Sequence, residues 1–166
     1  MLVLDSSSAD ETRRIGGSLA QALPRPAIVL LRGDYGAGKT TMVQGLAAGL
    51  GVRGAVRSPS YNIVKLYRGE SGSLIHVDLY RAHGPAEVDE LGIWEFVGAD
   101  SIVAIEWPGE LVPSAQEYSL LTIEFELLPV VGTDEPGAGA RRRLKLEADL
   151  SELQEYAGVL SEFTAG

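Results

Sequence analysis

Gly33-Asp34-Tyr35-Gly36-Ala37-Gly38-Lys39-Thr40 is the stretch on which the reading of this chain turns. It fits G-x-x-x-x-G-K-[ST], in which glycines let the backbone turn consecutive N–H groups inward around phosphate oxygens. The pattern carries weight only between a strand and a helix, and both are legible. Upstream, Ala27-Ile28-Val29-Leu30-Leu31 is a short, continuously apolar run, the form of a strand covered on both faces. Downstream, Val43, Leu46, Ala47 and Leu50 recur at i, i+3, i+4 and i+7, and Gly51 offers a C-terminal cap. A helix starting there directs its unsatisfied N–H groups at the same phosphate. Lys39 is expected to reach the β and γ phosphates and the Thr40 hydroxyl to ligate magnesium, with Thr41 a candidate for an α-phosphate contact. A glycine-rich turn with an incidental lysine would not supply every fixed position and both flanking elements.

Such a loop needs a carboxylate near the metal. Two stand at the C-terminal ends of apolar runs, where parallel α/β sheets place their ligand crevice: Asp78 after Leu74-Ile75-His76-Val77, and Glu106 after Ile102-Val103-Ala104-Ile105. One would hold magnesium, directly or through water, and the other position an attacking water or acceptor hydroxyl; the residues alone do not say which. The bland alternative is a cap on a neighbouring segment or a pair with Arg81. In Arg57-Ser58-Pro59-Ser60-Tyr61, Ser60 either approaches magnesium and the γ-phosphate or belongs to a proline turn with capping serines. His76, inside an apolar strand, reads as a hydrogen-bonded structural residue and His83 as an exposed loop residue. Trp107 is either edge packing or an aromatic surface for nucleotide or partner. Arg141-Arg142-Arg143 is either a solvated strand start or a contact for phosphates or an RNA-bearing partner.

The rest of the chain sets bounds on these readings. Its 166 residues suit one domain over 1–166, and the absence of cysteine removes disulfide scaffolds, thiolate metal sites and thiol nucleophiles. With 14 Lys plus Arg against 23 Asp plus Glu, the net charge is −9, which speaks against gripping nucleic acid by neutralising phosphates. Met1 to Arg14 lacks the basic start and long apolar stretch of a signal peptide, and no apolar run approaches the ~20 residues that cross a bilayer, so a soluble protein is expected. Helices are expected over 9–23 and from Leu150 to Leu160, with one or two short ones within 85–97. Residues 61–68 and 73–80 read as a hairpin about Gly69 to Gly72, and 101–105, 118–128 and 142–147 as further strands. A mixed sheet follows, with 132–140 a mobile loop.

Taken in order, GDYGAGKTT (33–41), SPSYNIV (58–64), HVDLYR (76–81), ELG (90–92) and IEWP (105–108) closely resemble the TsaE family, also called YjeE. The resemblance implies an α/β fold, a P-loop NTPase-like three-layer sandwich about a central mixed, partly parallel sheet. It implies a cytoplasmic, magnesium-dependent ATPase that acts with TsaB and TsaD in making N6-threonylcarbamoyladenosine in tRNA. In that machinery TsaD transfers the threonylcarbamoyl group and TsaE keeps the cycle going. Tyr35, Gly36, Ala37, Gly38, Lys39, Thr40 and Thr41 would then hold ATP phosphates, with Ser60 nearby. Thr40 and Glu106 would bind magnesium, with Asp78 beside them supporting hydrolysis and Lys39 and Glu106 sharing the catalytic work. Trp107 would belong to the family's acidic-aromatic pair, and Arg142 would be the cluster arginine near the nucleotide. Tyr35 stands where leucine is more usual, and Ser60 where threonine is. The tRNA would be met through the TsaB–TsaD complex, without DNA or membrane. Two other classes are weighed against this: a small P-loop kinase, for which no acceptor domain is evident, and a nucleotide-bound scaffold that hardly hydrolyses.

Overall fold

Ala27–Gly33, the strand that delivers the glycine loop, is the middle of a seven-stranded sheet. The structure is a computed structural model and describes residues 1–59, 62–82, 91–109, 118–129 and 141–163. In chain order the elements are β1 (Leu2–Ser6), α1 (Ala9–Ala22), β2 (Ala27–Gly33), α2 (Lys39–Gly49), β3 (Val64–Gly69), β4 (Gly72–Asp78), β5 (Ser101–Glu106), β6 (Ser119–Leu127), β7 (Arg142–Glu147) and α3 (Leu150–Val159), with short 3-10 turns at Ile93–Phe96 and Ser161–Phe163. The strand order is β1-β7-β6-β2-β5-β4-β3. Strands β6, β2, β5 and β4 run parallel, while the β3–β4 hairpin and the β6–β7–β1 pairs are antiparallel. The mixed, partly parallel α/β sheet expected from the sequence is the one observed.

Strand alternation divides the buried side chains between two cores. Ala27, Val29 and Leu31 of β2 pack with Ile102 and Ala104 of β5 and with Leu121 and Ile123 of β6 beneath α1, α2 and α3. Ile28, Leu30, Val103 and Ile105 point the other way, onto Ile75, Val77 and Ile93. The same parity sends His76, Asp78 and Glu106 toward the helical layer, the side from which the glycine loop rises. On the opposite face, β1, β7 and β6 carry a row of charges: Asp5 lies opposite Arg143 and Arg143 opposite Glu126. Arg143 grips Asp5 at 2.9 and 3.1 Å, and Lys145 lies 3.5 Å from Glu126.

Helix α2 is held close against α1 by glycine. A methyl at Gly45 would stand 2.3 Å from the Arg13 carbonyl oxygen and 2.9 Å from the Gly16 Cα. At its end, Gly51 adopts φ 74°, with Gly51 N–H donating to the Ala48 carbonyl and Val52 N–H to that of Ala47, the paired bonds of a Schellman cap.

The sequence reading missed β1. Leu2 to Ser6 is short and alternates only weakly, and its pairing partner, β7, lies at the far end of the chain. The hairpin strands are shorter than expected, because Asn62 and Ile63 donate to the Pro59 carbonyl in a turn and Ile63 takes φ 58°. Within 85–97 the described part forms a single 3-10 turn; residues 83–90, the 132–140 loop, His83, Ser60 and Tyr61 lie outside the described residues.

Candidate functional site

The loop after β2 reaches α2 through Gly36 at φ 77° and Gly38 at φ 111°, a region that side chains with a Cβ rarely enter. Gly38 is the N-cap residue of α2 and supplies no side-chain cap, so the first N–H groups of the helix are left open toward a ligand. They face a cleft of about 400 Å³ lined by loop residues, by the ends of β4 and β5, and by Ser58, Tyr80, Arg81 and Trp107.

Lys39 folds back over the loop. Its ammonium donates to the carbonyls of Gly33 and Asp34, both at 2.7 Å, and lies 3.7 Å from the Trp107 ring centroid. Burial lowers the Lys39 pKa, while Glu106, Asp78 and Asp34 pull it the other way. A cation stripped of water in this way has most to gain from a phosphate. Trp107 takes φ 58°, and its ring also meets Tyr80 at 5.0 Å between centroids.

The two carboxylates end up side by side, because Asp78 and Glu106 are register partners in the parallel β4–β5 pair. Their surroundings differ. The Thr40 hydroxyl donates to Glu106, 2.8 Å from Oε1 and 3.1 Å from Oε2, and His76 Nε2 lies 2.8 Å from Oε1. Asp78 instead accepts from the Ser58 hydroxyl at 2.5 Å and from the Tyr80 N–H at 3.1 Å. Both acids are nearly buried, at 3% exposure for Glu106 and 7% for Asp78.

The donor set fits magnesium. Among the described residues no cluster of three or more His, Cys, Asp or Glu could cage a metal alone. Magnesium is commonly held otherwise, by one or two carboxylates together with substrate phosphates. Two oxygens on adjacent corners of its octahedron stand about 2.8–3.0 Å apart for metal–oxygen distances of roughly 2.0–2.1 Å. The Thr40 hydroxyl and Glu106 Oε1 are 2.8 Å apart. With its proton on Glu106, the hydroxyl keeps its lone pairs for a cation.

Tyr35, Gly36, Gly38, Lys39, Thr40, Thr41, Asp78, Glu106 and Trp107 all line the cleft. Ala37 and Arg142 do not. Ala37 is buried beneath the loop, and Arg142 Nε donates to its carbonyl at 3.1 Å while packing under Gly38. Among the described residues Arg142 Nη1 is buried without a hydrogen-bond partner, and burial lowers the Arg142 pKa. Sequence reasoning named Ser58 only within the proline loop and Arg81 only as a pair for a strand-end acid, did not single out Tyr80, and read His76 as a hydrogen-bonded structural residue without assigning its partner, Glu106.

The protein-family model described as "Threonylcarbamoyl adenosine biosynthesis protein TsaE" matches residues 6–128. That span holds the loop, both acids and Trp107 and stops short of β7. A Synechocystis sp. protein named "tRNA threonylcarbamoyladenosine biosynthesis protein TsaE" is 46% identical over 106 residues, 60% of this chain and 66% of its own length. The Haemophilus influenzae protein of the same name is matched over 63% of its length, so the alignments to both fall just short of two thirds. The Borreliella burgdorferi protein of that name is 37% identical over 128 residues, 76% of this chain and 93% of its own. Among solved structures, Bacillus subtilus YdiB superposes with a TM-score of 0.63 at 29% identity, covering 97% of this chain and 94% of that one.

Proposed function

The chain belongs to the TsaE family, and from that premise we propose that it is a magnesium-dependent ATPase of tRNA threonylcarbamoyladenosine biosynthesis. The observation that carries this reading is the Thr40–Glu106 contact: the hydroxyl of a phosphate loop meets a strand-end carboxylate at 2.8 Å, with Asp78 alongside. A turn that bound nucleotide without hydrolysing it would still use Glu106 for the cation but would have no need of Asp78 to orient a water.

Magnesium, held there, would neutralise charge that develops on the phosphoryl oxygens. The chain does the rest. The N–H groups of Gly36 and of Gly38 to Thr41 surround the phosphates, while that of Ala37 stays bonded to the Asp34 carbonyl, and Lys39 exchanges the Gly33 and Asp34 carbonyls for phosphate oxygens. Thr40 and Glu106 hold the cation. Asp78, fixed by Ser58 and the Tyr80 N–H, retains lone pairs with which to orient an attacking water. Trp107 and Tyr80 wall off solvent on one side. Arg142 acts through the Ala37 carbonyl, holding the loop from behind.

The net charge of −9 fits a protein that meets tRNA through TsaB and TsaD in the cytoplasm and leaves the RNA grip to them. Among the described residues, Arg143 and Lys145 already engage Asp5, Glu124 and Glu126. No helix among the described residues is long and apolar enough to cross a membrane. The test is phosphate release from ATP by the purified chain with TsaB, TsaD and tRNA added singly and together. Turnover should rise with the assembly and vanish in Lys39→Ala and Glu106→Ala. Turnover unchanged in both variants would refute the roles, and ADP formed without equivalent free phosphate would indicate transfer to an acceptor instead.

A further inference from the structure

Glu106 is a long side chain with several torsions, and a carboxylate that must meet a cation needs something to fix its plane. Thr40 supplies one donor, from the first turn of α2 at the end of the glycine loop. The other donor is His76, on β4 in the interior of the sheet. Its backbone is register-paired with Lys65 on one side and Ala104 on the other, and its ring is wholly buried. Both Thr40 and His76 converge on Oε1 of Glu106 at 2.8 Å.

The second ring nitrogen is informative. Among the described residues, His76 Nδ1 is buried and has no hydrogen-bond partner. A histidine kept only for packing is ordinarily satisfied at both nitrogens; here, among the described residues, the polar contact that orients the ring is the carboxylate. A hydrogen on Nε2 donates to the ionised carboxylate across that contact. Such an N–H donor holds the carboxylate in one plane. A lysine or arginine in the same place would compete with the cation that Glu106 has to hold. Carboxylates that ligate metals are in turn hydrogen-bonded from outside the ligand shell, and those partners set their orientation.

We infer that His76 is the positioning residue of this site: its Nε2–H fixes the Glu106 carboxylate in the orientation that receives magnesium, an assignment that rests on the magnesium–nucleotide reading above.

The chain has two histidines, His76 and His83, so nitrogen-correlated NMR of the imidazoles resolves them without ambiguity. The native chain should show a slowly exchanging Nε2–H for His76 that shifts in Glu106→Gln. In calorimetry with ADP, His76→Leu should leave nucleotide affinity in EDTA unchanged but raise the magnesium concentration for half-saturation about tenfold, the low end for loss of such a group. His76→Gln, whose amide can donate in the same direction, should recover most of that loss, whereas the shorter His76→Asn should not. The assignment is overturned by an Nδ1–H tautomer in the native chain, by parent-like magnesium dependence in His76→Leu, or by His76→Gln falling as far as His76→Leu while melting like the parent. If His76→Leu does not fold, the Gln and Asn pair decides. A native chain whose nucleotide binding ignores magnesium would overturn the ATPase reading and the positioning role together, and the NMR measurement would still judge the imidazole–carboxylate contact by itself.

Discussion

Replacing Gly45 by alanine sets two effects of opposite sign against each other. Alanine is the better helix former by about 1 kcal/mol in a helix interior. At Gly45, however, the new methyl would lie 2.3 Å from the Arg13 carbonyl oxygen and 2.9 Å from the Gly16 Cα, atoms of backbone that cannot rotate away. Restoring ordinary contact requires α1 and α2 to part by roughly 1 Å, and forced overpacking of this kind typically costs about 1–3 kcal/mol. Because the obstacle is backbone, the cost belongs at the upper end, leaving a net loss of about 1–2 kcal/mol. For a chain of 166 residues, an unfolding entropy of roughly 2.1 cal/mol/K per residue makes each kcal/mol worth about 3 °C, so the melting midpoint should fall by about 3–6 °C. Gly158→Ala is the control: Gly158 sits near the end of α3 with nothing within 4 Å of the added methyl. There only helix propensity acts, and the midpoint should rise slightly. Thermal unfolding followed by circular dichroism reads both. A Gly45→Ala protein as stable as the parent would refute the claim that glycine contact positions α2, the helix that carries Lys39 and Thr40.

Burial pushes the Tyr156 phenol up to about 12, against a smaller opposing pull from Ser119. Its folded value lies above the unfolded value near 10, so the unfolded chain loses its proton first. The stability held below pH 10 is lost as pH rises toward 12, by about 2–3 kcal/mol at roughly 1.4 kcal/mol per unit. Urea midpoints of the parent should therefore fall faster than those of Tyr156→Phe over that window; parallel curves would contradict the assignment. Arg142→Met keeps the packing beneath Gly38 and deletes the donor to the Ala37 carbonyl. Nucleotide affinity by calorimetry should weaken about tenfold, equivalent to about 1.4 kcal/mol and within the range of a hydrogen bond from a charged group. Unaltered affinity would remove Arg142 from the support of the loop.

The phosphate loop, its strand and its helix were legible because their causes are local. Glycine conformations, helix periodicity and a cap at Gly51 are properties of neighbours along the chain. Asp78 and Glu106 were legible as candidates for the same reason, each standing where an apolar run stops. From the residues alone, which acid meets Thr40 was not; only the resemblance to the TsaE family pointed to Glu106. That Glu106 rather than Asp78 meets Thr40 follows from strand order: β5 pairs directly with β2, and Leu31 is level with Glu106 just before the loop departs. Ser58 reaches Asp78 across twenty residues of chain, and His76 reaches Glu106 across thirty.

The arginine cluster makes the same point. Three consecutive arginines look alike in sequence, but once β7 is paired with β6 and β1, alternation sends Arg142 under the loop and Arg143 to Asp5 on the opposite face. Strand β1 escaped notice because five residues carry too little pattern to announce a partner that lies beyond residue 140. The sequence by itself therefore determined the class of fold, the glycine-rich turn between β2 and α2 and the acids that stand beside it. Only the tertiary structure decided which groups meet, because register between strands is a long-range property: a shift of one residue moves every side chain to the other face, and no local signal records it.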